Sequence, residues 1–310
     1  MNFILRTVGL AGLWLGLGCH LPLVAAETFR VVTYNLNNYL DVPVGNRPVK
    51  TPPARAKIRE SLVALKADVV ALQEMGSTNA LWELRDSLKA EGLDYPHWEH
   101  VQGFDTNIHL AVLSRFPIVA RRPHTNDSFL LFGRRFRVGR GFAEVDIQVN
   151  PRYAFTLITA HLKSRAPVPE ADQAALRLEE ARLLREKIDA RLAANPNVNL
   201  SVLGDLNDTK DTLPIRTIIG QYRSPLIDTR PAEQNGDDQP HPNPRFDPPN
   251  VTWTYYYGKE DAYSRFDYLL LSRGMAREWI TNETYILRLP NWGIGSDHRP
   301  VVATFRAEER

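Results

Sequence analysis

The sequence of 310 residues contains a single cysteine, Cys19. It lies in an amino-terminal segment that reads as a cleaved leader. The mature chain would then have no disulfide, no thiolate-bound metal and no cysteine nucleophile, and its chemistry must come from oxygen and nitrogen ligands. Charge of one sign is also missing, since 38 Lys plus Arg against 36 Asp plus Glu leave a formal +2. That balance gives no global pull toward nucleic acid, so an anionic partner must be met by a local patch. No uninterrupted apolar run reaches the roughly 20 residues a bilayer-spanning helix needs. With 43% hydrophobic residues, 24% charged residues and a mean hydropathy of −0.32, the composition excludes disorder and fibre.

What is present begins with Arg6, the apolar stretch Val8 to Leu17 and the small-residue end Val24-Ala25-Ala26. These read as the n-region, h-region and cleavage site of a signal peptide covering residues 1–26, leaving one domain over 27–310 and predicting an exported protein, periplasmic or secreted. His20 and Pro22 interrupt the run, so no integral membrane segment is expected in the mature chain. Cys19 after Leu17-Gly18 faintly resembles a lipoprotein processing site, which leaves lipid anchoring as the minor alternative.

Strand-like and helix-like patterns interleave beyond that point, with no linker and no internal repeat. Strands are predicted at Phe29 to Tyr34, Asp68 to Leu72, Ile108 to Leu113, Phe142 to Val149, Tyr153 to Ala160, Asn199 to Leu203, Thr252 to Tyr257, Phe266 to Leu271, Thr284 to Leu287 and Val301 to Phe305. Helices are predicted at Ala54 to Lys66 behind Pro52-Pro53, at Leu81 to Ala90 and at Glu170 to Ala194. Asn150-Pro151-Arg152 joins two strands as a hairpin, and Asp228 to Asn250 reads as a long loop. Strands mixed with helices on either side point to an α/β layered sandwich.

Polar residues fall at the strand ends. Asn35 follows the first strand, Glu74 the second, His161 the strand ending at Ala160, and Asp205 with Asn207 the strand ending at Leu203. Asp297 and His298 precede the terminal strand, and Asp267 sits inside Arg265-Phe-Asp-Tyr-Leu. Strand ends of one sheet converge, so these residues can form a single polar crevice.

Thr33-Tyr-Asn-Leu36, Leu72-Gln-Glu74, Leu113-Ser-Arg115, Thr159-Ala-His-Leu162, Gly204-Asp-Leu-Asn-Asp208, Arg265-Phe-Asp-Tyr268 and Ser296-Asp-His298, in this order, resemble the signature of the endonuclease/exonuclease/phosphatase superfamily of DNase I-like enzymes. The resemblance implies a four-layered α/β/β/α sandwich with two central mixed sheets and metal-dependent cleavage of phosphate esters. It implies Glu74 as principal ligand of Mg²⁺ or Mn²⁺ with Asn35 and Asp297 nearby, Asp205 as activator of the attacking water, and Asn207 as holder of that water or of a phosphoryl oxygen. His161 would bind a non-bridging oxygen, His298 would act as base or phosphate ligand, and Asp267 would fix the His298 tautomer. Such roles suit a hard cation that prefers oxygen ligands and an anionic ester that must be neutralised before attack.

Arg121, Arg122, Arg134, Arg135, Arg137 and Arg140 crowd into 20 residues whose only carboxylate is Asp127. Arg140, just before Phe142, is placed by analogy with the family to reach a phosphate. The stretch as a whole reads equally as a polyanion contact or a solvated strand face, and Phe129-Leu-Leu-Phe132 within it reads as core rather than a membrane wedge. Asp208 is expected to cap a helix over Asp211 to Ile219. Trp253, Tyr255, Tyr256, Tyr257 and Tyr263 lie close in sequence to Asp267, and alternation of strand faces leaves about half of them free to line the crevice. The expected partner is a phosphate ester, with nucleic acid among the options and no obligate protein partner. A phosphodiesterase or nuclease is the leading reading. The others are a phosphomonoesterase on sugar or inositol phosphates, a sphingomyelinase-like phospholipase and a non-catalytic polyanion-binding module.

Overall fold

The computed structural model describes residues 28–220, 224–234, 243 and 251–308. The predicted leader, most of the stretch after Glu233 and the carboxyl-terminal two residues lie outside them. The chain runs β1 (Thr28–Tyr39), α1 (Pro52–Leu65), β2 (Val69–Met75), α2 (Thr78–Ala90), β3 (His97–Val101), β4 (His109–Ser114), β5 (Ile118–His124), β6 (Ser128–Leu131) and β7 (Arg134–Arg137). There follow β8 (Phe142–Asn150), β9 (Tyr153–His161), α3 (Gln173–Ala194), β10 (Leu200–Asp205), α4 (Leu213–Ile219), β11 (Ile227–Asp228) and β12 (Ala232–Glu233). The last elements are β13 (Tyr255–Tyr257), β14 (Ala262–Ser264), β15 (Asp267–Leu271), α5 (Arg273–Arg277), β16 (Trp279–Ile286) and β17 (Val301–Arg306).

Two mixed sheets form the centre, in the orders β12-β16-β17-β1-β2-β4-β3 and β11-β15-β10-β9-β8-β5. The β1/β2 and β9/β10 pairs are parallel, and both bring strand carboxyl ends to the same rim. Alternation along β1 explains the layering. Phe29 and Val31 point between the sheets, where Phe29 stacks on Phe155 of the other sheet at 5.2 Å. Val32 and Tyr34 point the other way, onto Ile58, Leu62, Leu81 and Leu84 of α1 and α2. On the far side, Ile158, Val202 and Leu270 meet Leu184 and Ile188 of α3 and Ile215 of α4. The result is the four-layered α/β/β/α sandwich that the family resemblance implies.

The differences are local. The edge strands β3 and β5 and the hairpin β6/β7 add to the strands expected from the sequence, and the strand expected from Thr252 is shortened to Tyr255–Tyr257 in a two-stranded ribbon with β14. The hairpin at Asn150-Pro151-Arg152 is present and antiparallel. Asp208 does not cap α4, whose N-cap is Thr212. It is a buried partner of Arg165 at 2.6 Å and Arg177 at 2.8 Å. Arg265 pairs with Asp228 at 2.6 Å, which leaves Asp267 to His298.

Candidate active site

Register gathers the polar residues. Asp205, the last residue of β10, lies opposite His161 on β9 and Asp267 on β15, so three strands deliver an imidazole and two carboxylates side by side. Gly204 makes this spacing possible. Its φ is +137°, and a Cβ there would stand 2.0 Å from the Ala160 carbonyl oxygen, so no other residue fits so close an approach of β9 to β10.

Glu74 is aimed by an irregularity. Its φ is +59°, and the β1/β2 and β2/β4 registers shift around it, the local distortion that re-aims a side chain at the end of a strand. Its Oε2 accepts from the Asn38 N–H at 2.9 Å, while Oε1 lies 3.5 Å from Asn35 Nδ2 and 3.9 Å from His161 Nε2. Asn35 donates from the same Nδ2 to Asp205 Oδ2 at 2.9 Å, joining the two carboxylates through one amide. Asp205 Oδ1 accepts from the Asn207 N–H at 2.9 Å. Asn207 spends its side-chain amide on Leu162 O at 3.0 Å and leans on Asp205 Oδ2 at 3.4 Å. It therefore orients Asp205 as much as it faces the crevice.

His298 donates from Nδ1 to Asp267 Oδ2 at 2.7 Å, and its Nε2 lies 3.6 Å from Asp205 Oδ2. Its backbone is fixed by an N–H bond to Ser296 Oγ at 3.0 Å, and Ser296 in turn donates to Asn35 O at 2.7 Å. Burial opposes an imidazolium here, yet the Asp267 and Asp205 carboxylates outweigh it and raise the His298 pKa above the ordinary histidine value. Burial raises Asp205 above the usual carboxylate range against the pull of His298, and Asp267 adds to the rise. Burial, with the cations of Arg140, His298, Arg47 and Lys163, holds His161 well below its ordinary value, which keeps it neutral. Burial also raises Asp297, with Glu74 adding and His298 opposing.

Two basic residues join the site that the sequence did not single out. Lys50 donates to Asn37 O at 2.6 Å, and burial pushes its pKa down to about 8 against the opposing pull of Asp297 and Glu74. Arg47 acts electrostatically on His161 and has a buried Nη1 without a hydrogen-bond partner. The available signal was weak: two basic residues in the stretch between Asn35, which follows the first predicted strand, and a helix opened by Pro52-Pro53. Arg140 reaches the same neighbourhood. Its Nε stands 3.7 Å from Asp105 Oδ2 without a hydrogen bond. Arg121 and Arg122 do not belong to the patch, being neutralised by Glu99 and by Glu144 with Asp146.

The aromatic residues divide by face. The Tyr255 ring lies 4.7 Å from the His298 ring and stacks on Phe266 at 5.0 Å, with Tyr257 beyond it at 6.4 Å. Trp253, Tyr256 and Tyr263 turn to each other and to Trp292 and Arg299 instead.

Two groups of side chains could hold a cation. Asp205, Asp267 and His298 have ligand atoms within 4.8 Å of one another, the only such trio among the described residues. It is buried, and its imidazole and one Asp267 oxygen are already hydrogen-bonded together, which suits proton handling better than an open coordination site. Glu74 and Asp297 are oxygen donors and half-buried, and the buried Asn35 amide stands beside Glu74. Glu74 Oε1 has only the long contact to Asn35 as a hydrogen-bond donor. That set fits a hard divalent cation that keeps some of its own waters.

A sequence profile of the Endonuclease/Exonuclease/phosphatase family matches residues 32–298. No curated protein sequence matches the chain. Among solved structures, truncated Caenorhabditis elegans TDP2 superposes with a TM-score of 0.59 at 16% identity, covering 90% of this chain and 98% of its own. The human Nocturnin catalytic domain with bound sulfate gives 0.61 at 15% identity over 91% and 95%. Sphingomyelinase C from Streptomyces griseocarneus gives 0.56 at 20% identity over 90% and 100%.

Proposed function

The chain belongs to the endonuclease/exonuclease/phosphatase family, whose members hydrolyse phosphate esters, and from that premise we propose that it is an exported phosphodiesterase dependent on Mg²⁺ or Mn²⁺. The observation that carries this reading is the Asp267–His298–Asp205 chain, with separations of 2.7 and 3.6 Å, set beside the Glu74 and Asn35 side chains. An acid and a base with shifted proton affinities thus face the same crevice as the Glu74 carboxylate, whose Oε1 has only a long contact to Asn35.

In this reading Glu74 and Asp297, with Asn35, hold the cation, which when bound offsets the charge of the ester. Asp205, its proton affinity raised by burial, takes a proton from the attacking water while Asn35 and the Asn207 N–H fix its two oxygens. His298, kept protonated by Asp267, donates from Nε2 to a phosphoryl oxygen while the water oxygen bonds to phosphorus and the phosphorus–oxygen bond to the leaving group breaks, the departing oxygen taking its proton from solvent. His161 stays neutral and directs Nε2 into the space between Asp205 and Glu74. Arg140, Arg47 and Lys50 add positive charge around an anionic substrate. The half-exposed Tyr255, against His298, supports a leaving group with a flat apolar face, which favours a diester over a bare sugar phosphate.

The test is hydrolysis by purified residues 27–310 of plasmid DNA, RNA, bis-p-nitrophenyl phosphate, sphingomyelin and inositol phosphates, in Mg²⁺, Mn²⁺ and EDTA. The reading expects diester turnover that stops in EDTA. Turnover of monoesters alone would replace it with a phosphomonoesterase. The proposed export is checked by the amino-terminal sequence of the protein recovered outside the cytoplasm.

A further inference from the structure

Strands β6 and β7 form a two-stranded ribbon that belongs to neither central sheet. It leaves the fold between β5 and β8, next to Phe142, which pairs with Ala160 beside His161, so it rises from the rim that carries the candidate site. Its register is Ser128 with Arg137, Phe129 with Phe136, Leu130 with Arg135 and Leu131 with Arg134. Phe129 is 8% exposed and stacks on Phe136 at 5.9 Å, which makes one face of the ribbon an inner one. The other face and the tip are different. Leu130 is 64% exposed and Phe132 82% exposed.

The tip is the informative feature. Phe132 and Gly133 are the two central turn residues, with φ of +51° and +74°. Hairpin turns of this kind favour Asn-Gly or Gly-Gly, and a bulky side chain at positive φ is disfavoured. Phe132 accepts that conformation while leaving its ring in water, so nothing within the fold accounts for it. Behind the tip, β7 carries three exposed arginines that form no ion pair among the described residues, from Arg134 next to the turn to Arg137 at the base of the ribbon. Arg134 donates to Glu170 O at 3.3 Å, Arg135 to Ser128 Oγ at 3.0 Å, and Arg137 lies 5.2 Å over Phe104. The neighbouring carboxylate, Asp127, is taken by Lys187 at 2.8 Å.

We propose that the β6/β7 hairpin docks the protein on an anionic phospholipid surface, Phe132 and Leu130 entering below the headgroups while Arg134, Arg135 and Arg137 pair with lipid phosphates. Charge complementarity selects an anionic partner. The apolar tip then separates lipid from nucleic acid. A phosphodiester backbone is held by cations and neutral hydrogen-bond donors, with no use for an apolar side chain, and bases stack on aromatics that line a groove, whereas Phe132 and Leu130 stand exposed at the end of a ribbon. An apolar tip with guanidinium groups along the strand behind it matches an interface with hydrocarbon below and phosphate above. The inference is independent of which phosphate ester the site hydrolyses.

The test is co-sedimentation of residues 27–310, which hold every described element, with phosphatidylcholine vesicles with and without phosphatidylglycerol. Binding should require the anionic lipid and weaken with salt. Replacing Arg134, Arg135 and Arg137 together by Ala should weaken it about 10²-fold, at about fivefold per arginine, and replacing all three by Lys should preserve most of it. Phe132→Ser with Leu130→Ser should also weaken it, with an unchanged melting temperature showing that the fold is intact. Failure of the wild type to bind anionic vesicles, or variants that bind as well as it does, would overturn the proposal. So would hairpin variants that lose affinity for an oligonucleotide but not for vesicles.

Discussion

Replacing Asp267 by Asn tests how the site handles protons. The substitution keeps the size of the side chain and removes the charge that His298 Nδ1 meets at 2.7 Å, in a position with no solvent exposure. A charge-assisted bond of this kind contributes about 1.5–3 kcal/mol, which at roughly 1.4 kcal/mol per decade is about 10- to 10²-fold in turnover. Removing the imidazole itself, as in His298→Ala, should cost at least about 10²-fold, so the Asn variant should be the milder. The pH profile gives a second readout. The Asp267 carboxylate favours the imidazolium, so its loss lets His298 release its proton at lower pH, and the alkaline fall of kcat should move to lower pH. The assay is kcat on bis-p-nitrophenyl phosphate across pH, with melting curves for each variant. A folded Asp267→Asn protein with wild-type kcat and an unmoved alkaline limb would refute the reasoning, and one more damaged than His298→Ala would mean that Asp267 acts directly.

Gly204→Ala should lower stability by roughly 3 kcal/mol or more, because strain at positive φ adds to a backbone clash; an unchanged melting temperature would mean that β9 and β10 can part without cost. Lys50→Gln should raise KM about two- to fivefold, the size of one screened charge contact, with kcat nearly constant; a fall in kcat alone would contradict that role. Glu144 is buried, which raises its pKa, but His124 and Arg122 overcome this and hold it at about 2, below the 4.5 of an ordinary Glu. A depressed carboxylate pKa stabilises the fold above pH 4.5 and loses that contribution as pH falls toward 2. Allowing for solvent screening of the partly exposed Arg122, Glu144→Gln should remove about 1–2 kcal/mol at neutral pH and flatten the acid limb of the melting profile, and an equally steep limb in the variant would locate the effect elsewhere.

The layered fold was legible because both central sheets write their burial into β1, β2, β9 and β10 as apolar runs ended by Asn35, Glu74, His161 and Asp205. Edge strands carry no such mark. β3 and β5 hold His97, Glu99, Arg121 and Pro123, because one side of an edge strand lacks a partner and tolerates charge and proline. Pairing partners were illegible for the same reason that contacts are nonlocal: Asp208 reads as a cap beside a helix, and only the approach of α3 shows it between Arg165 and Arg177. Phe129 to Phe132 is core only in part. Phe129 is buried, while the turn that exposes Phe132 depends on a two-residue loop invisible to hydrophobicity. Arg47 and Lys50 reach the crevice by the path of a loop, which no periodicity encodes.

The central claim is a division of labour, with Glu74, Asn35 and Asp297 for the cation and Asp205, Asp267 and His298 for protons. Titration of Mn²⁺ into chelator-treated protein, followed by the loss of the free-ion electron paramagnetic resonance signal, tests it most directly. The account predicts a site whose affinity falls about 10-fold or more in Glu74→Gln, a first-order loss for a removed ligand charge, and changes little in Asp267→Asn. Undiminished binding in Glu74→Gln together with its loss in Asp267→Asn would place the cation in the buried trio and contradict the account.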